Sequence, residues 1–234
     1  HLKRLSERVV EGGFDLGLAF DGDADRCLAV DEMGREIDGD QIMAVCAEYL
    51  TAQGKLQSQG FVATVMSNLG LHKFCKEQKL KLLCAAVGDR NVLELMQKEG
   101  MRLGGEQSGH IIFLEHMTTG DGQLAALQFL SILGQSGKKA SELANQITHY
   151  PQVLKNVRVS SNEEKTAILA SEELENAKAA EEEKIAGRGR ILLRASGTEP
   201  LIRVMAEADT QDLAEAVVQT LVKAVENVQK NLEN

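Results

Sequence analysis

The sequence predicts an α/β protein in which βαβ-type mixed-sheet structure precedes a smaller α+β C-terminal domain. Three observations predict it. Apolar runs of strand length alternate with helical stripes between residues 61 and 133, the pattern of βαβ units around a mostly parallel sheet. His149-Tyr150-Pro151 then breaks that pattern, because proline discourages helix continuation. Beyond it lie strand-like runs at 153–159, 191–193 and 201–208, followed by a helix with Leu213, Val217, Leu221, Val225 and Val228 on one face.

The elements follow in order. Residues 1–10 read as an amphipathic helix and 14–20 as a buried strand; a second strand begins at Cys27, and Glu32-Met33-Gly34-Arg35 is a hairpin turn. From Asp40 the period changes, and Ile42, Val45, Cys46, Tyr49 and Leu50 form a helical stripe that stops before Gly54. Next come a strand at 61–66, a helix at 71–78, a strand at 80–87 and a helix at 89–98 with Asp89 as its N-cap. A strand at 111–114 and an apolar helix at 123–133 close this part. Ser161-Asn162-Glu163-Glu164 resembles a capping box opening an Ala/Glu/Lys-rich helical stretch. Within that stretch Glu181-Glu182-Glu183 reads as a solvated face.

Composition limits the partners. A net charge of −9 disfavours nucleic acid, which demands a basic face. The absence of Trp, with only 2 Tyr and 6 Phe, leaves no platform for stacking bases. No apolar run approaches the roughly 20 residues of a membrane span, so no membrane partner is expected. The first residues carry charges but no continuous apolar core, unlike a signal peptide. Residue 1 is His rather than Met, which suggests that the chain begins inside a longer one. The cysteines at 27, 46, 75 and 84 lie in apolar contexts without C-x-x-C pairing, which reads as buried reduced thiols in a cytoplasmic protein.

Three loops carry chemistry. Asp21-Gly22-Asp23-Ala24-Asp25-Arg26 sets three carboxylates on alternate residues between apolar strands. Such charges repel unless a cation joins them, and oxygen-only ligands favour Mg²⁺ or Ca²⁺ over Zn²⁺. Gly104-Gly105-Glu106-Gln107-Ser108-Gly109-His110 combines glycines that let backbone approach a ligand with a carboxylate, an amide and a hydroxyl suited to sugar hydroxyls. Arg194-Ala195-Ser196-Gly197-Thr198-Glu199-Pro200 offers successive N–H groups, two hydroxyls and an Arg fork, a phosphate nest distinct from a Walker loop. Arg203 on the next strand could assist the phosphate, but reads rather as the partner of an acidic neighbour. At the strand-to-helix junction Val87-Gly88-Asp89-Arg90, Arg90 is a candidate ligand contact.

The ordered trio DGDADR, GEQSGH and RASGTEP resembles the α-D-phosphohexomutases, and the similarity runs through essentially the whole chain. Gln107 and His110 in GEQSGH, SNLG at 67–70 and TTGDG at 118–122 resemble the branch that interconverts glucosamine 6-phosphate and glucosamine 1-phosphate. The resemblance implies the phosphohexomutase fold of four domains, with residues 1–38 ending domain 2, 39–149 forming domain 3 and 150–234 forming domain 4. It implies Mg²⁺ as cofactor, held by Asp21, Asp23 and Asp25 beside Arg26. Glu106 and Ser108 grip the sugar, with Arg90 nearby. Arg194, Ser196, Gly197 and Thr198 hold the phosphate that is not reacting, and His110 is a proton shuttle for the attacking hydroxyl.

Two small departures stand out: Ala24 where the family often has Gly, and Ala195 where Pro is frequent. The large one is an absence. The family nucleophile is a phosphorylated serine in a T-A-S-H-N-P-like context, and no serine here has that context. The chain is therefore expected to be inactive alone. The expected partners are a phosphosugar and either a second copy of the chain or the missing N-terminal half, with residues 1–38 packing on domain 3 or self-associating.

Two rival readings remain beside a third, that the chain is a noncatalytic binding or regulatory piece. One is phosphoglucomutase or phosphomannomutase activity on the same fold. The other is a calcium-binding module, since Asp21, Asp23, Asp25 and Glu32 occupy EF-hand positions one, three, five and twelve. Against the latter, position six is Arg26 rather than Gly, and the flanks read as strands.

Overall fold

Helix α1 (Lys3–Gly12) opens the computed structural model, which describes residues 2–56, 59–197 and 199–233 and separates into two units, 1–148 and 149–234. The helix buries Val9 and stops where Gly13 turns left-handed, at φ 63°. Strands β1 (Leu16–Phe20) and β2 (Cys27–Asp31) form an antiparallel hairpin whose last pair is Phe20 with Cys27. That register leaves the acidic loop spanning the open end. Strand β3 (Glu36–Ile37) adds to β2 and completes the order β1-β2-β3.

Helix α2 (Gly39–Ala52) starts at a capping box. The Asp38 carboxylate accepts from Gln41 N–H at 3.0 Å, and Gln41 Oε1 accepts from Asp38 N–H at 3.1 Å. Then follow β4 (Gly60–Thr64), α3 (Leu69–Glu77), β5 (Lys81–Ala85), α4 (Asp89–Glu99), β6 (Leu103–Gly105), β7 (Ile111–Phe113), α5 (Gly122–Ser136) and α6 (Ala140–Ala144). The four strands lie in the order β5-β4-β6-β7, with β4 parallel to β5 and β6 and β7 antiparallel to β6.

All of β4 is buried, because it is an interior strand covered on both faces. Phe61 and Ala63 face one core with Ile42, Leu71 and Phe129. Val62 faces a second core with Val92, Met96, Met101 and Ile112. Cys27, Ala29 and Ile37 join the first core, so the β1–β3 sheet packs against the helices of the larger sheet. Each fully buried Phe or Ile there contributes roughly 2–3 kcal/mol.

The second unit runs β8 (Gln152–Arg158), α7 (Asn162–Leu169), α8 (Glu172–Lys184), β9 (Gly189–Ala195), β10 (Leu201–Ala208) and α9 (Gln211–Glu233). Its antiparallel sheet has the order β8-β10-β9, and Ile202, Val204 and Ala206 of β10 meet Val217, Leu221, Val225 and Val228 of α9.

The mixed α/β architecture matches the expected class, and several local readings change. Gly88, at φ 123°, rather than Asp89 is the N-cap of α4. Cys84 is exposed while the other three cysteines are buried. Glu181 is buried and bridged to Lys184, so only part of the acidic run is solvated. The capping box at α7 is split: Ser161 Oγ caps Glu164 N–H at 3.1 Å, but the Glu164 carboxylate reaches back to Ser160 rather than Ser161. Strand β6 was concealed in the sequence by its two glycines.

Candidate functional site

Asp21, Asp23 and Asp25 each bring one carboxylate oxygen within 4.8 Å of the others. The tight β1–β2 connection does this by turning Ala24 left-handed, at φ 58°. A Cβ costs roughly 1–2 kcal/mol in that region, which is the physical reason a glycine suits the position. Arg26 donates its backbone N–H to Asp21 Oδ1 at 3.2 Å, and its Nε stands 3.7 Å from Asp21 Oδ2 and 3.8 Å from Asp25 Oδ1.

The two flanking carboxylates titrate in opposite directions. Burial raises Asp25, aided by the Asp21 hydrogen bond and charge and opposed by His110. Burial also pushes Asp21 upward, but the Arg26 N–H, the Asp25 hydrogen bond and the Arg26 charge outweigh it and the net direction is down. Repulsion between neighbouring carboxylates moves their pKa values apart. Asp25 Oδ1 is buried without a hydrogen-bond partner. Three clustered carboxylates, one with an orphaned buried oxygen, fit a hard divalent cation such as Mg²⁺.

The EF-hand alternative fails on geometry. Strands flank the loop, and Glu32 turns away to accept the Ser141 hydroxyl and its N–H, the latter at 3.1 Å.

The GEQSGH segment packs against this loop. Cys27 N–H donates to Gly109 O at 3.1 Å, and Gly122 N–H donates to Ala24 O at 3.0 Å. Gly109 is at φ 93°, and a Cβ there would lie 2.3 Å from Cys27 O, so only glycine fits. His110, 3% exposed, contacts Asp25 Oδ2 through Nδ1 at 3.0 Å and accepts Gly120 N–H at Nε2 at 3.1 Å. The Gly120 donor requires an unprotonated Nε2, which places the proton of the neutral ring on Nδ1. A buried ring with both nitrogens engaged is badly placed to carry a proton to a substrate.

Other expected contacts are distributed differently. Glu106 Oε1 accepts Gly88 N–H at 2.9 Å, and the exposed Ser108 hydroxyl donates to Glu106 Oε2 at 3.2 Å. Gln107 instead serves α2, its Nε2 donating to Asp38 Oδ2 at 3.1 Å. Gly104 and Gly105 do not border open ligand space. They are buried in β6, where a Cβ on Gly104 would lie 2.5 Å from Met96 Sδ. Arg90 lies exposed on α4 and pairs with Glu94 at 2.8 Å. The SNLG and TTGDG segments supply caps: Asn68 accepts Gly70 N–H at 3.0 Å, and Asp121 accepts Leu124 N–H at 2.9 Å.

In the second unit, Arg194 and Arg203 are directly paired across β9 and β10. Directly opposed residues share a face, and like charges so placed destabilise a sheet. Both Nε atoms are buried without a hydrogen-bond partner. Arg203 forms an ion pair with the exposed Glu199 at 4.0 Å, as expected of an acidic neighbour, while its Nε keeps no hydrogen bond. Burial, then the Arg203 charge, lowers the Arg194 pKa.

An anion above this face would relieve both. Ser196 is buried and accepts Glu199 N–H at 3.3 Å, whereas a Cβ on Gly197 would meet nothing within 4 Å. Thr198 lies outside the described residues. Both alternatives read for Arg203 in the sequence stay open: it pairs with Glu199, and it stands opposite Arg194 beside the 196–200 segment.

Comparisons with known proteins follow the same division. The family model for phosphoglucomutase/phosphomannomutase, alpha/beta/alpha domain III, matches residues 38–150, and that for the C-terminal domain matches residues 154–224. The phosphoglucosamine mutase of Ligilactobacillus salivarius (strain UCC118) is 51% identical over 226 residues, 97% of this chain and 50% of the relative. That of Anoxybacillus flavithermus (strain DSM 21510 / WK1) is 52% identical over 225 residues, 96% of this chain and 50% of the relative. The chain thus spans about half the length of the curated relatives it matches.

Among solved structures, Aspergillus fumigatus N-acetylphosphoglucosamine mutase in complex with GlcNAc-6P and magnesium superposes with a TM-score of 0.75 at 22% identity, over 91% of this chain and 48% of that one. A phosphoglucomutase/phosphomannomutase family protein from Burkholderia thailandensis gives 0.77 at 21% identity, over 97% and 50%. At these identities the superpositions show the shared fold.

Proposed function

The chain belongs to the phosphoglucomutase/phosphomannomutase family, and from that premise we propose that it is part of a phosphoglucosamine mutase. The activity is interconversion of glucosamine 6-phosphate and glucosamine 1-phosphate through a phosphoserine and a bisphosphorylated sugar. The carrying observation is the cluster of Asp21, Asp23 and Asp25, with an orphaned oxygen on Asp25. The relatives at 51–52% identity support the choice of amino sugar.

Residues 1–38, 39–149 and 150–234 are assigned to the end of domain 2, domain 3 and domain 4. Asp21, Asp23 and Asp25 would hold Mg²⁺, which when bound supplies charge neutralisation to a phosphoryl group in transfer. Arg26 favours the ionised form of Asp21 and adds fixed positive charge. His110 is reassigned from proton shuttle to a group that orients Asp25 through Nδ1–H. Glu106 and Ser108, adjoining on one turn, take sugar hydroxyls. Arg194 and Arg203 take the non-reacting phosphate, with Gly197, Ser196 and Thr198 from the connecting turn. Arg90 retains a place only if it leaves Glu94 for the ligand.

Phosphoryl transfer depends mainly on positioning and electrostatic stabilisation, and these residues supply both. The serine must come from outside these 234 residues, since none of the serines present has the family's context.

The test is ³¹P NMR of glucosamine 6-phosphate with Mg²⁺ and the chain. Saturable binding without turnover is expected. Turnover by rigorously pure chain refutes the dependence on an external serine. Tighter binding of glucose 6-phosphate or mannose 6-phosphate shifts the substrate to those sugars.

A further inference from the structure

Lys165 lies in the first turns of α7, behind the 196–200 turn, and is 8% exposed. Lysine is seldom buried this far unless its charge is compensated. Here the ammonium donates to carbonyl oxygens, Ser196 O at 2.8 Å and Glu199 O at 3.4 Å. Carbonyls solvate the charge without cancelling it, so a full positive charge stays beneath the turn.

The contact also has a directional effect. In a trans peptide the C=O of one residue and the N–H of the next point to opposite sides, and no cis peptide occurs among the described residues. Drawing Ser196 O toward Lys165 therefore turns the Gly197 N–H away from α7, at a residue that borders open space. Described residues on either side are fastened as well. Ser196 N–H donates to Leu201 O at 3.0 Å, Leu201 N–H to Glu199 O at 2.8 Å, and Val159 N–H to Pro200 O at 3.0 Å.

We propose that Lys165 is a positioning residue for phosphate binding, holding the Ser196 and Glu199 carbonyls inward so that the Gly197 amide faces a phosphomonoester. This rests on the reading of Arg194 and Arg203 as the phosphate site. Lys165 touches no substrate in this arrangement and acts through the turn.

Glucosamine 6-phosphate titrated into the 234-residue chain, and into its K165M, K165R and R194M variants, tests it by NMR. In the unsubstituted chain the Gly197 amide resonance should move to saturation. K165M should displace that resonance before any ligand is added and weaken binding at least about tenfold, while K165R, which keeps the donor and charge, should bind within about threefold. Equal affinity of K165M and the unsubstituted chain, with Gly197 still responding, overturns the role of Lys165 and leaves the phosphate site standing. A silent Gly197 amide together with no effect of R194M overturns the phosphate site itself. Should K165M not fold, the Lys165 ¹³Cε resonance of the unsubstituted chain decides: a shift on saturation supports the proposal, and an unmoved resonance refutes it.

Discussion

His110 and Asp25, 85 residues apart in sequence, meet at 3.0 Å, and the second ring nitrogen of His110 is committed to the Gly120 N–H. Two loops and a carboxylate are thereby oriented by one buried imidazole. An outer-shell partner of this kind typically governs affinity for metal by about 10–100-fold.

His110→Gln should accordingly weaken Mg²⁺ binding by about tenfold or more. It should also destabilise the first unit by about 1–3 kcal/mol, since glutamine keeps an acceptor for the Gly120 N–H but leaves Asp25 Oδ2 without its Nδ1–H donor. Isothermal titration with Mg²⁺ checks the first effect and thermal unfolding the second. Unchanged Mg²⁺ affinity in a folded variant would remove His110 from the cation site.

Asp23→Asn should separate cation binding from loop stability. Removing one of three clustered charges relieves repulsion, so the variant without metal should be as stable as the parent or more so. Mg²⁺ should raise the melting temperature of the parent and leave that of the variant nearly unmoved, because stabilisation follows binding to the folded state. A full Mg²⁺ response from Asp23→Asn contradicts the assignment.

Arg203→Met offers a similar separation in the second unit. Taking one of two opposed guanidiniums off the sheet removes a repulsion, so urea unfolding should show stability maintained or increased. Affinity for glucosamine 6-phosphate should fall by about tenfold or more, as for loss of a charge-assisted contact. Loss of stability with unaltered affinity would make Arg203 a structural residue.

Glu32 provides a pH prediction. Burial opposes its ionisation, yet hydrogen bonds from the Ser141 hydroxyl, its own backbone N–H and the Ser141 N–H, with the Lys139 charge, lower its pKa overall. A depressed folded-state pKa contributes stability that is present above the unfolded value of about 4.3 and lost as pH falls through the folded value. Glu32→Gln should thus cost about 1 kcal/mol at pH 7. The difference from the parent should close once the pH is below the depressed pKa. A gap that persists unchanged to the acid limit would assign the loss to packing instead.

Much of the architecture was legible because its signals are local. The α9 stripe from Leu213 to Val228 and the apolar run of β4 each follow from the period of one element. Strand β6 was hidden because Gly104 and Gly105 carry no side-chain pattern; they are glycines because Met96 and the backbone at 110–111 press against them. Gly88 rather than Asp89 caps α4 because the backbone at φ 123° admits no side chain readily. Glu181 looked solvated within an acidic run, and only the packing around α8 shows that it is not.

By itself the sequence determined the carboxylate loop, the two other functional loops and the alternation of strands and helices. Each of these lies within a few residues of chain, where covalent spacing sets which groups are neighbours. Only the tertiary structure decided that His110 serves Asp25, that Arg194 faces Arg203, and that Lys165 binds the Ser196 and Glu199 carbonyls. Those pairings depend on strand register and on how helices lie over sheets. The free energy of burying apolar surface selects that packing across the whole unit, and no short stretch of sequence encodes it alone.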